Sequence, residues 1–181
     1  MTLKPPMSPP SDTPPLDNVW DDFPDHTRML TDHPHTEARL RAVQALYQIH
    51  FAQQDEASVL RQLIAQAEAV GTNALLSQII QGVGADHARF QAMLEPRLKT
   101  GWTWARLHPV QRFIFLAAAY ELAQQPATPV GVVVSEYVVI TRALVGEAEA
   151  GFVNGLLDNL AKMVRPEEGR TPLPVAPKPA V

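Results

Sequence analysis

Residues 131–145 read GVVVSEYVVITRALV, and the fold turns on whether this run is a strand or a helix. Its β-branched residues favour a strand. Thr128 before Pro129 instead marks a capped helix start, because proline suits the first helical turn and threonine can accept from an orphan backbone N–H. No other run offers a partner strand, and an unpaired strand leaves its backbone polar groups unsatisfied. The stretch is therefore read as a helix, and the chain as all-α.

The flanking segments agree. Upstream, Pro109 opens VQRFIFLAAAYEL, which is apolar almost all round and so is expected to be the central helix. QQPATPV breaks it. Downstream, GFVNGLLDNL at 151–160 places Phe152, Val153, Leu156, Leu157 and Leu160 at the i, i+3, i+4 spacing of a buried helix face. This last helix runs to about Val164, where Pro166 stops it. Asn154-Gly155 is a turn-like dipeptide in what reads as its first turn. Gly155 there would let another backbone approach closely.

Three further helices are expected before Pro109. The first opens at Thr36 and presents Leu40, Val43, Tyr47 and Phe51, with Leu46 beside them. The second begins near Asp55, turns Leu60, Leu63, Ile64 and Ala67 inward, and ends at Gly71. The third starts at about Asn73 and carries Leu76, Ile79, Ile80, Val83, Phe90, Met93 and Leu94. Gly82 and Gly84 weaken its middle by about 1 kcal/mol each relative to alanine, which predicts a kink or a close helix crossing.

Proline and charge divide the chain of 181 residues into three parts. Eight of the 17 prolines lie in 1–35 and five in 166–181. Both ends are expected to be disordered, because such segments bury too little apolar surface to offset ordering entropy. Residues 1–35 hold two basic and six acidic residues, so they carry all of the net charge of −4. The region 36–165 balances 11 basic against 11 acidic residues and is expected to be the folded domain. The acidic arm includes PLDNVWDDFPDHTRML, whose aromatics could dock on a surface. No apolar run approaches the ~18 residues of a membrane span, and the first residues lack the apolar core of a secretory signal. A soluble cytoplasmic protein is the expectation.

The sequence assembles no catalytic constellation. It has no cysteine, which excludes disulfides, thiolate metal sites and cysteine nucleophiles. None of the six histidines falls in an H-E-x-x-H or Glu-x-x-His pattern. There is no P-loop, no G-x-S-x-G and no G-x-G-x-x-G, so no cofactor is expected. Glu121 and Glu136 lie in apolar surroundings. They are read as structural acids rather than a catalytic pair, with Arg106 and Arg112 as available partners.

Four motifs then occur in order over about 130 residues: AVQALY at Ala42–Tyr47, YEL at Tyr120–Leu122, VSE at Val134–Glu136 and FVNGLLD at Phe152–Asp158. Their order and spacing resemble the NusB family of bacterial transcription antitermination factors. WTWARLHPVQR is similar to the tryptophan-to-arginine segment before that family's fourth helix. The resemblance implies an all-α fold of about six to seven helices in two packed subdomains. It also implies a non-enzymatic function. Such a protein pairs with a small-subunit ribosomal protein, called NusE in this role, and binds boxA-type single-stranded RNA. The assembly joins the RNA polymerase antitermination complex during ribosomal RNA transcription. The resemblance implies RNA contact by the start of the first helix, where Arg39, Arg41 and Gln44 stand, and by Phe152, whose ring can meet an unpaired base. Asn154 adds a free side-chain amide, and Arg97 and Lys99 restore positive charge nearby, so all seven are expected at the RNA site.

Three positions depart from the family pattern. The first helix start is thin in basic residues, offering only Arg39 and Arg41 after His35. Ser135-Glu136 stands for the usual Asn-Glu, and Leu116 replaces a common arginine. An alternative follows, in which the chain keeps the protein partner but has weakened RNA binding. An accessory domain of an RNA methyltransferase is disfavoured, since no cofactor-binding domain follows.

Overall fold

A computed structural model describes residues 33–51, 55, 57–61 and 73–168. Within them lie five long helices: α1 (Pro34–Phe51), α2 (Asn73–Leu94), α3 (Pro109–Gln124), α4 (Val130–Leu144) and α5 (Glu147–Val164). Residues 57–61 are also helical, and Asp55 caps them by accepting from Ser58 N–H at 3.0 Å. Two 3₁₀ turns, Glu95–Arg97 and Trp104–Arg106, lie in the connection between α2 and α3. No strand occurs among the described residues. The expectations for 1–32 and 169–181, and for Leu63, Ile64, Ala67, Gly71 and the Phe51 side chain, lie outside them. At the inner edges of the expected disordered ends, α1 opens at Pro34 rather than Thr36, and residues 166–168 form a turn after α5.

The segment 131–144 is helical, as the missing partner strand requires. The expected Thr128 cap is not formed. Pro129 takes the N-cap position without a side-chain bond, and the Val130 N–H donates to Glu168 Oε2 at 3.0 Å. A carboxylate from beyond α5 thus satisfies an orphan donor at the positive end of α4.

Helix α3 is the centre of the molecule. Every residue from Phe113 to Leu122 is buried. Helices α1, α2, α4 and α5 all pack against it, with α1 closely paired to α2 and α4 to α5. The two sets share one apolar core, to which α2 contributes Leu76, Ile79, Ile80, Val83, Phe90 and Leu94. Burying each such side chain stabilises by roughly 1.5–3 kcal/mol.

Both outcomes expected of the α2 glycines occur. At Gly82 the helix lies so close to α3 that an added Cβ would fall 2.0 Å from Tyr120 Cε2. Past Gly84, Asp86 leaves helical geometry at φ −127° and ψ 27°, which kinks α2.

The last helix starts earlier than the sequence reading placed it. Gly146, at φ +125°, breaks the chain after α4. Glu147 and Glu149 then occupy the first turn of α5, where acidic side chains favour the helix dipole. Asn154-Gly155 therefore lies well inside the helix. A Cβ at Gly155 would meet nothing within 4 Å, so no other part of the described chain uses the close approach it permits.

Candidate nucleic-acid interface

The residues named from the sequence do not form one surface. Arg39 lies on the buried side of α1, 3% exposed. Its Nε and Nη2 each donate to Glu121 at 2.9 Å, and Nη1 reaches Glu136 Oε2 at 3.4 Å. Tyr137 O–H donates to the same Glu121 at 2.6 Å, and Thr36 O–H donates to Glu136 at 2.6 Å. The expected partners of these acids, Arg106 and Arg112, are engaged elsewhere. Arg106 donates to Gly101 O, and Arg112 to the carbonyls of Ala105 and Leu107.

The network also sets proton affinities. Burial acts to lower Arg39, but the hydrogen bond and charge of Glu121 outweigh it and hold the guanidinium above its ordinary value. Burial, reinforced by the Glu121 carboxylate, pushes the Tyr137 phenol well up. The Arg39 charge offsets that of fully buried Glu121, as a buried ion requires, while Glu136 keeps its side chain 26% exposed.

Arg41 remains half-buried and pairs with Glu37 at 2.7 Å. Gln44 is half-buried on the same helix. Arg97 donates to the Met93 carbonyl and rests on the Met163 sulfur. The cationic start of α1 is thus largely occupied inside the protein.

Phe152 and Asn154 part company because residues two apart on a helix point about 200° away from each other. Asn154 faces a groove of about 350 Å³ between α4 and α5, whose lining includes Ser135, Val139, Arg142 and Gly151. Phe152 faces the connection before α3. It is half-buried, with Phe115 edge-on at 5.7 Å and Trp102 tilted by 30° at 5.8 Å.

Trp102 and Arg106 extend this cluster beyond the residues chosen from sequence. Lys99 Nζ stands 5.6 Å from the Phe152 centroid, and the Arg106 guanidinium 5.7 Å from that of Trp102. A turn places them. Trp102 N–H donates to Lys99 O at 2.9 Å, and Gly101 sits at φ +85°, the positive φ that a type II turn needs at its third position. Trp102 stays 43% exposed. Residues 97–112, which span most of the connection and the first turn of α3, hold four basic residues and no acidic one, a local excess hidden by the balanced charge of the whole domain. An exposed indole beside two cations suits a ligand with planar rings and negative charge.

At the far end of the molecule Arg165 ties helix ends together. It donates to the carbonyls of Glu121, Leu122, Gln125 and Thr128 and pairs with Glu168 at 3.1 Å. The Val130 N–H, followed by the charge of Arg165, draws the Glu168 carboxyl below its ordinary value. No helix among the described residues is long and apolar enough to cross a membrane.

Helices stacked around a central helix, with a surface of aromatic and cationic side chains, define an all-α protein of the helical-bundle kind. The chain belongs to the NusB family, whose sequence profile matches residues 36–162. Transcription antitermination protein NusB of Sphingopyxis alaskensis is 39% identical over 137 residues, spanning 71% of this chain and 92% of that one. Its counterpart from Bradyrhizobium sp. strain BTAi1 is 36% identical over 140 residues, covering 72% and 83%. Among solved structures, T. maritima NusB superposes with a TM-score of 0.68 at 25% identity, covering 75% of this chain and 96% of that one. A chain from the crystal structure of a plectonemic RNA supercoil shares the fold, with a TM-score of 0.65 at 20% identity over 72% of this chain and 96% of that one.

Proposed function

We propose that this protein is a transcription antitermination factor that acts by binding rather than catalysis. It binds boxA-type single-stranded RNA together with a NusE-type ribosomal protein and joins the RNA polymerase antitermination complex in the cytoplasm. The observation that carries this reading is the family match across 36–162. The Trp102–Phe152 cluster and the α4–α5 groove support it, since separate surfaces allow RNA and protein to bind together.

A second reading, a protein-interaction module with weakened RNA binding, rests on a specific observation. Arg39 is buried on Glu121 and Arg41 is paired with Glu37, so α1 offers few phosphate contacts. Transcription across a terminator downstream of a boxA leader tests the first reading. Adding the protein with its ribosomal-protein partner should raise read-through on the boxA template and leave a boxA-deleted template unchanged. Equal read-through on both templates would reject it.

A further inference from the structure

We propose that Trp102 is the base-stacking platform for RNA in this chain, and that Lys99 and Arg106 supply the phosphate contacts that α1 does not. The inference deepens the RNA-binding reading and rests on it. Trp102 is 43% exposed although its ring packs on Phe152. Exposure alone would be ordinary, but here the exposed indole packs on a second ring and stands beside two cations, a combination that suits a base and its phosphate. The exposure is fixed by the backbone, because the Lys99–Trp102 turn depends on the positive φ of Gly101. The ring backing onto Phe152 leaves indole surface for a base, and aromatic faces accept any unpaired base. Lys99 Nζ stands over the Phe152 ring and the Arg106 guanidinium over that of Trp102, so both charges sit beside the indole surface left exposed, within reach of the backbone of a nucleotide stacked there.

The charge distribution favours RNA over a protein partner here. From 97 to 112 every charged residue is basic, and Arg112 and Arg97 are spent on carbonyls within the fold. Arg106 also holds Gly101 O, through Nη1 at 2.7 Å, so it fixes the turn as well as carrying charge. Phe152 lies beneath Trp102 and against Phe115. It therefore positions the indole, and a base meets Trp102 first.

The test is titration of fluorescein-labelled single-stranded boxA RNA with the full chain and its ribosomal-protein partner, read by anisotropy and by tryptophan fluorescence. Trp102→Ala should weaken RNA binding by about 5- to 150-fold, the range of one lost base stack, with an unchanged far-UV spectrum. Trp102→Phe should keep most of the affinity but lose the RNA-induced tryptophan quenching. Lys99→Gln with Arg106→Gln should make the dependence of log affinity on log salt shallower by roughly 0.7 per lost contact. Wild-type affinity and quenching in folded Trp102→Ala would overturn the proposal while leaving the RNA-binding reading intact. Loss of ribosomal-protein binding with RNA affinity unchanged would instead make the cluster a protein-docking surface. Absence of RNA binding by the wild-type complex would reject both.

Discussion

Arg39 and Glu121 form a bidentate ion pair in the core, with side chains 3% and 0% exposed. The pair joins α1 to the central helix. It turns an arginine that reads from the sequence as a phosphate ligand into part of the fold. Arg39→Ala leaves the Glu121 charge buried, and we expect a loss of about 3–5 kcal/mol. Arg39→Lys should recover only part of this, because an ammonium cannot reproduce the forked geometry. Urea unfolding checks both. Native stability with sharply reduced RNA affinity would place Arg39 back at the surface.

The two glycines most open to comparison should respond in opposite directions to alanine. At Gly82 the added methyl meets the Tyr120 ring, and overpacking of this kind typically costs about 1–3 kcal/mol. Gly155 is exposed, inside α5, with no neighbour within 4 Å of an added Cβ. Gly155→Ala should stabilise by up to about 1 kcal/mol through helix propensity. Thermal denaturation of the two variants separates them.

Stability should rise with pH across the histidine range. His87 on α2 lies parallel to His50 of α1, with ring centroids 6.3 Å apart. Burial, and then the nearby His50, lower its proton affinity below the ordinary 6.5. The unfolded chain therefore binds the proton more readily. The contribution is fully present above about 6.5 and is lost as pH falls through the lower folded value. His87→Gln should flatten this part of a stability–pH curve; an unchanged slope would remove His87 as its source.

Glu168 should give a second, more acidic dependence. Its carboxyl is held below the ordinary 4.5 by the Val130 N–H and by Arg165. Stability from this cap is present above about 4.5 and is lost as pH falls through the folded value. Glu168→Gln should remove that acid-side loss, detected by urea unfolding at a series of pH values. A native acid limb in the variant would leave the cap without energetic weight.

Helical type was legible where negative arguments were strong. GVVVSEYVV lacked a partner strand, and Pro109 and Pro129 sat where helices begin. Arg39 was misplaced because its charge outweighed its position. It stands four residues before Val43 and seven before Leu46, on the very face that the apolar residues define. Phe152 and Asn154 share the FVNG motif, which suggests a shared surface, whereas the helical period sets them on different sides. Trp102 and Arg106 lie in a connection with no periodicity, so their meeting with Phe152 depends on the Gly101 turn and the packing of α5. Glu168 as a cap had no local signal, since its partner is 38 residues away.

The most direct test of the account is the affinity of the full chain for labelled boxA RNA, measured with and without saturating NusE-type protein at several salt concentrations. Binding alone should be weak, because the domain 36–165 has equal numbers of basic and acidic residues, and should tighten with the partner. Linkage then requires RNA to tighten partner binding by the same factor. Affinity that is undetectable in both states, or unaltered by the partner, would contradict this reading.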